Sequence, residues 1–272
     1  MNYSETITYL YQSTPLFQQV GAGAYKEGLT NSLLLDEHLG HASLPSAGYR
    51  VGLSTSPHLV DFRERIRVNG EPVSQQYVID FVERERPFFE PLHPSFFELT
   101  TAMAFRYFAD RQVDVAVIEV GLGGRLDCTN LISPDLSLIT NISFDHTQFL
   151  GSTLAAIAQE KAGIIKPHTP VVIGEAVDET RPVFEAKAKA MEAPIYFAEE
   201  QPLSYPDVEM ELKGSYQQKN RATVLAAIPL LQQAGYRIGE AEVRQGFAHV
   251  VELTGLQGRW QQLQESPRLV CD

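Results

Sequence analysis

From Tyr49 onward, short apolar runs alternate with longer stretches of helical period. YRVGLSTS (Tyr49–Ser56), DVAVIEV (Asp114–Val120), DLSLITNIS (Asp135–Ser143), PVVIGE (Pro170–Glu175) and PIYFAEE (Pro194–Glu200) read as strands. SQQYVIDFVERERPFF (Ser74–Phe89), SFFELTTAMAFRYFADR (Ser95–Arg111), STLAAIAQEKAGII (Ser152–Ile165), a stretch over Glu179–Glu192 and YQQKNRATVLAAIPLLQQAG (Tyr216–Gly235) read as helices. In the second of these, Phe96, Thr100, Met103 and Tyr107 form one stripe, with Phe97, Ala104 and Phe108 beside it. The core strands are apolar on both faces, which suits a mostly parallel sheet flanked by helices. The fold class is therefore α/β, with a ligand expected at the carboxyl ends of the strands. A last apolar strand, Arg268–Cys271, has no helix after it.

Composition narrows the partners. Lys plus Arg number 22 against 34 for Asp plus Glu, a net charge of −12 over 272 residues with a pI near 5.1. That field repels nucleic acid and anionic membranes, so neither is expected as a partner. It leaves room for anionic small molecules, because a few local cations reverse the sign in one pocket. Cys128 and Cys271 lack metal-ligand spacing and read as free thiols in a reducing compartment. MNYSETITYLYQ has no basic region followed by a long apolar run, and no run approaches the roughly 20 residues of a membrane helix. A cytoplasmic monomer is expected.

The candidate chemistry gathers at strand ends. Glu119 closes the strand DVAVIEV and opens onto the glycine turn Gly121–Gly124, followed by Arg125 and Asp127. GLGGRL lacks the third glycine of a dinucleotide fingerprint, so a Rossmann cofactor is not expected. The turn still lets backbone approach a ligand. The alternative is a plain turn with a surface ion pair. SFDHTQFLG sets Asp145 and His146 after another strand, and Lys161 stands near the end of the following helix. Glu119, His146 and Lys161 thus share one edge. A carboxylate and an imidazole there favour a hard divalent cation, Mg2+ over zinc. TSPHLVDFRERIRVNG (Thr55–Gly70) carries His58, Arg63, Arg65 and Arg67 and reads as a solvated loop or as a flap over an anionic substrate.

Taken in order, TSPHLVDFRERIRVNG, FFELTTAMAF, VAVIEVGLGGRLDCTN, ITNISFDHTQFLG, IAQEKAGIIKP and KGSYQQKNRATVLAA resemble folylpolyglutamate synthase/dihydrofolate synthase, a Mur-type family of ATP-dependent amide ligases. The resemblance implies a Mur ligase central ATPase domain over residues 1–265, with residues 266–272 beginning a C-terminal ligase domain. It implies that Glu119 and His146, with Ser56, hold Mg2+, and that Lys161 takes up CO2 as a carbamate. Asp127 matches a pterin contact, and Arg125, Ser56 and His58 fall in substrate-binding stretches. Asn220 matches an adenine contact and Arg259 a phosphate contact; Asp272, closing PRLVCD, belongs with the nucleotide contacts. The implied substrates are ATP, L-glutamate and folate or dihydropteroate. The implied reaction is attack of a substrate carboxylate on the γ-phosphate of ATP, then displacement of phosphate by the amino group of glutamate. Both partners are anions, so catalysis is mainly positioning and cation clamping.

Two departures from the family pattern stand out. LLLDEHLGHASLPSAGYRVGL contains no G-x-x-x-x-G-K-[ST] phosphate loop, and no strand is expected before Tyr49. The chain also stops after PRLVCD. The abrupt joints imply omitted residues between Ser43 and Gly48 and beyond Asp272. The alternatives are a catalytically inactive folate- or nucleotide-binding module, and another Mur-type amide ligase.

Overall fold

The computed structural model describes residues 1–13, 32–34, 38–144, 147–258, 261–267 and 269–271. Helix α1 (Tyr3–Ser13) comes first, then strand β1 (Ser32–Leu34), helix α2 (His38–Ser46) and strand β2 (Val51–Ser54). Strands β3 (Ile66–Val68) and β4 (Glu71–Pro72) precede helices α3 (Gln75–Phe89) and α4 (Phe96–Asp110). Strands β5 (Val115–Ile118) and β6 (Leu136–Ile139) lead into helices α5 (Thr147–Leu150) and α6 (Leu154–Lys161). Strand β7 (Val171–Ile173), helix α7 (Arg181–Ala190) and strand β8 (Ile195–Phe197) follow. Helices α8 (Gln217–Gln233), α9 (Glu240–Ala248) and α10 (Val250–Thr254) and strands β9 (Gln261–Gln264) and β10 (Leu269–Cys271) end the chain.

Among the described residues, eight strands form one sheet in the order β4-β3-β2-β5-β1-β6-β7-β8. The stretch from β2 to β8 is parallel, while β3 and β4 add an antiparallel edge. Period-two alternation divides the strands between two cores, as a sheet covered on both faces requires. On β5, Ala116 and Ile118 join Phe81, Phe105, Phe108 and Phe184 on one face. Val115 and Val117 join Leu44, Leu225, Leu231 and Phe247 on the other. The α4 helix starts on a capping box: Glu98 N–H donates to Ser95 Oγ at 3.2 Å, and Ser95 N–H donates to Glu98 Oε2 at 2.7 Å. No helix among the described residues is long and apolar enough to cross a membrane.

Two sequence expectations need correction, and two other stretches gain structural detail. A strand does precede Tyr49: β1 sits between β5 and β6 in the middle of the sheet. Its three residues are too short to stand out in the run SLLLDEHLG, which reads as helix; its placement depends on neighbours distant in sequence. From Ser43 to Gly48 the residues form the end of a helix and the turn after it. The helix is α2, and Ala47 N–H donates to Ser43 O at 3.2 Å, Gly48 N–H to Pro45 O at 2.9 Å and Tyr49 N–H to Leu44 O at 3.2 Å. Ala42 and Leu44 are fully buried in the second core, so α2 covers apolar surface there. Thr55–Gly70 is not a solvated loop: Asp61 caps a 3-10 turn, Phe62–Arg65, and β3 pairs with β2. The strand at the end is present as β10, but it pairs antiparallel with β9, a strand the sequence pattern does not announce.

Candidate active site

The parallel strands β2 and β5 end side by side, and their last residues set the geometry. Ser54 pairs with Ile118, and Glu119 N–H continues the ladder by donating to Ser54 O at 2.9 Å. The Glu119 side chain then turns back across the gap. Its Oε2 accepts the backbone N–H of Ser56 at 2.5 Å, a charge-assisted bond that fixes the start of the Ser-Pro-His turn. Ser56 and Glu119, two members of the expected magnesium set, are therefore in contact. The third, His146, lies outside the described residues. Among the described residues no group of three or more His, Cys, Asp or Glu side chains could hold a metal ion.

Beyond Glu119 the glycine turn is pressed against the end of α6. Gly123 has φ of 72°, in the left-handed region that glycine occupies without penalty. A Cβ on Gly124 would lie 2.9 Å from the carbonyl oxygens of both Glu160 and Lys161. Arg125 N–H donates to Glu160 O at 2.8 Å, and the Arg125 guanidinium pairs with the Glu160 carboxylate at 3.0 Å. This brings the backbone of Lys161, the last residue of α6, to the turn that begins at Glu119. The Asp127 carboxylate folds the turn. Oδ1 accepts from Thr129 N–H at 2.9 Å and Thr129 Oγ1 at 2.6 Å, and Oδ2 accepts from Leu122 N–H at 2.8 Å.

The stretch after Ser56 is held by its own side chains. Glu64 accepts the backbone N–H groups of Leu59, Val60 and Asp61 at 2.9, 3.0 and 2.6 Å. Arg63 clamps Asp61, with Nη2 2.8 Å from Oδ2, and this pairing holds the Asp61 carboxyl at about 2. His58 Nδ1 accepts from Arg65 Nε at 2.7 Å, and Nε2 lies 3.1 Å from Tyr11 Oη on α1. Burial and the Arg65 charge lower the His58 pKa, which favours the neutral ring. Both ring nitrogens of His58 are thus committed to protein partners, a constraint that its place in the sequence did not reveal. The Tyr11 contribution was also invisible, because it comes from a helix more than forty residues away in the chain.

At the far side of the sheet, Asn220 sits in the first turn of α8, buried, with Nδ2 donating to Gln217 Oε1 at 3.2 Å. The neighbouring Lys219 pairs with Glu175 at the end of β7 at 2.5 Å, tying α8 to the carboxyl edge. That pair was missed in the sequence, since Lys219 and Glu175 are unremarkable surface types until β7 and α8 meet. Arg259 and Asp272 lie outside the described residues. Ser56 and Glu119 meet at two adjacent strand ends, the glycine turn leading to Arg125 and Asp127 packs on the end of α6 at Glu160 and Lys161, and Asn220 lies in the first turn of α8.

Comparison with known proteins shows what the chain is similar to. Residues 93–217 match the Mur ligase middle domain. The chain is 36% identical to the dihydrofolate synthase/folylpolyglutamate synthase of Bacillus subtilis, over 84% of this chain and 59% of that protein. It is 31% identical to the folylpolyglutamate synthase of Lacticaseibacillus casei, over 100% of this chain and 73% of that protein. A solved FPGS–AMPPCP–folate complex superposes with a TM-score of 0.87 at 30% identity, covering 100% of this chain and 76% of that one. The chain thus spans about three fifths to three quarters of the length of these relatives.

Proposed function

The chain belongs to the folylpolyglutamate synthase/dihydrofolate synthase family, and from that premise we propose that its site serves ATP- and Mg2+-dependent ligation of L-glutamate to folate or dihydropteroate. The observation that carries this reading is the Glu119 carboxylate, locked to Ser56 N–H at the ends of two parallel strands. Oxygen donors from Glu119 and Ser56, joined by His146, suit magnesium. Bound there, the ion would supply positive charge to anionic reacting groups. Lys161, reached through the glycine turn, is the proposed carbamate. Asp127, with both oxygens engaged, serves the pterin by fixing the shape of the turn that faces it. Arg125 is held against α6 by Glu160 at the same turn. Asn220, with Arg259 and Asp272, serves the nucleotide. The reading includes a cytoplasmic location, where ATP and glutamate are at hand.

One observation favours a second reading. Strand β1 occupies the middle of the sheet, but only residues 35–37, Leu-Asp-Glu, connect it to α2. No G-x-x-x-x-G-K-[ST] occurs anywhere in the chain. A phosphate loop needs a row of backbone N–H groups and a lysine, and two acids in a three-residue link do not fit that role. On this second reading the chain binds folate or nucleotide without turnover.

Labelled glutamate supplied with ATP, Mg2+ and either folate or dihydropteroate separates the two. Incorporation into either acceptor supports the ligase. Calorimetric binding of folate or nucleotide without incorporation supports the binding module. Neither binding nor incorporation refutes both.

A further inference from the structure

Three arginines follow the Ser-Pro-His turn, and the fold disposes of them differently. Arg63 is matched by Asp61, its Nε 3.1 Å from both carboxylate oxygens. Arg67 is buried and gives Nε to Glu64 O and Nη1 to Gly70 O, both at 3.2 Å. Arg65 is 9% exposed and donates Nε to His58 Nδ1 at 2.7 Å. Among the described residues its two Nη nitrogens donate to no protein acceptor, and the Glu119 and Glu64 carboxylates act on it only through space. The Arg65 Nη nitrogens are not among the buried atoms left without a partner, so these donors reach solvent and stay open to an anionic ligand.

The strand ladder fixes where this cation stands. Ile66 pairs with Ser54, Thr55 N–H donates to Arg65 O at 3.1 Å, and Ser54 O accepts from Glu119 N–H. Arg65 and Glu119 therefore flank the end of β2 from its two sides, about 10 Å apart along the backbone at ordinary strand spacing. The guanidinium lies over the Phe96 ring, with Cζ 5.2 Å from its centre. A chain of contacts aims it. Because Arg65 Nε–H can only donate, His58 Nδ1 must accept, which leaves the ring proton on Nε2 facing Tyr11 Oη. Tyr11 is itself stacked on Phe96, with ring centres 4.8 Å apart. Helix α1 thus braces His58, and His58 orients the arginine.

We propose that Arg65 is the anion-receiving residue of this site: its guanidinium, aimed by His58 and Tyr11, takes a carboxylate of the substrate beside Glu119. The inference rests on the folate-type reading for the substrate, but the site itself is defined by its chemistry, a carboxylate met by the planar fork of a guanidinium. A chain of net charge −12 with a carboxylate at the site's centre repels such an anion unless a cation faces it. Arg65 supplies that cation where Arg63 is already neutralised by Asp61 and Arg67 is bound to backbone carbonyls.

The test is a 1H–15N spectrum of the arginine Nε–H groups of the intact chain, titrated at constant ionic strength. An Arg65→Lys variant identifies the Arg65 signal by its disappearance. The probes are glutarate, folate and the bis-amide of folate. A saturable shift of the Arg65 signal with glutarate and with folate, absent with the bis-amide, is the expected result. The affinity for folate should exceed that for the bis-amide by about tenfold or more, the range of a charge-assisted fork. A shift with glutarate but none with folate keeps Arg65 as a carboxylate site and overturns the folate reading instead. No shift with either carboxylate, or an equal shift with the bis-amide, overturns the proposal.

Discussion

The Glu119 carboxylate accepts the backbone N–H of Ser56 at 2.5 Å across the ends of β5 and β2. One side chain thereby does two things: it stops the β2 chain from continuing as strand, and it stands at the carboxyl edge where ligands of open α/β sheets bind. A glutamine at this position can still accept from Ser56 N–H but offers no charge to a cation. Glu119→Gln is therefore expected to melt within about 2 °C of the parent, since surface-edge changes that keep a hydrogen bond cost little. The same variant should lose Mn2+ binding, measured by electron paramagnetic resonance with Mn2+ standing in for Mg2+. Retained Mn2+ affinity removes Glu119 from the metal set.

Gly163 follows the end of α6 and touches the backbone of the glycine turn. A Cβ there would meet Arg125 Cα at 2.2 Å and Arg125 N at 2.5 Å, and neither atom can give way without moving the turn. Gly163→Ala should destabilise the chain by about 2–3 kcal/mol, the upper range of overpacking. Urea unfolding checks the value. A change under about 0.5 kcal/mol means that the turn is not pressed on α6 as described.

The Glu119 edge was legible because its signal is local. A strand apolar on both faces ended in a carboxylate and emptied into glycines, and the sheet leaves such a residue only one place to be. The position of Lys161, at a helix end after a readable strand, was legible for the same reason. What was hidden depends on distant partners. Three residues, Ser32–Leu34, became a central strand only because β5 and β6 leave a slot for them. Ile66–Val68 reads as part of a charged loop, since Arg67 interrupts the apolar pattern. The side chain of Arg67 is nevertheless buried, its donors met by the carbonyls of Glu64 and Gly70. The protein partners of His58, Tyr11 and Arg65, were hidden because Tyr11 lies on a distant helix and Arg65 stands in a stretch that reads as loop.

Asp61 ties α1 to the turn, accepting from Tyr3 Oη at 2.8 Å while it pairs with Arg63. Its folded pKa is lowered to about 2 from 3.8, with the Arg63 hydrogen bond as the largest cause. A depressed carboxylate pKa adds stability that is present above the unfolded value and lost as pH falls through the folded one. Asp61→Asn should therefore cost about 1 kcal/mol at pH 7, after discounting for solvent screening. The gap between variant and parent should shrink between pH 4 and pH 2. Denaturant titrations at pH 7, 4 and 3 check this; a gap that widens toward acid reverses the sign and removes the ion pair as its cause.

The capping box of α4 gives a prediction independent of ligand. Ser95 is 5% exposed and Glu98 7%, so the two hydrogen bonds between them are shielded from water. Ser95→Ala removes the acceptor for Glu98 N–H and leaves a buried donor unmatched. The expected cost is about 1–2 kcal/mol, the higher part of the N-cap range because of the burial. Denaturation midpoints with an unchanged slope would show a pure stability loss.

The last prediction concerns Lys161. A lysine carbamate forms only on the neutral amine and converts a cation into an anion, so it is favoured where a divalent cation stands nearby. The end of α6 meets the turn after Glu119, with the Lys161 carbonyl 2.9 Å from the place a Gly124 Cβ would occupy. Lys161 and the expected metal ligands are therefore joined by a few residues of rigid backbone. With 13C-labelled bicarbonate and Mg2+, the chain should give a carbamate carbon signal that Lys161→Ala abolishes and Glu119→Gln weakens. The Glu119 variant is the sharper arm, because it leaves the lysine in place and removes only the charge that recruits magnesium. A carbamate signal of full strength in Glu119→Gln would mean that the modification does not depend on a cation held at Glu119. No signal in the parent chain under saturating bicarbonate would remove Lys161 from the proposed chemistry.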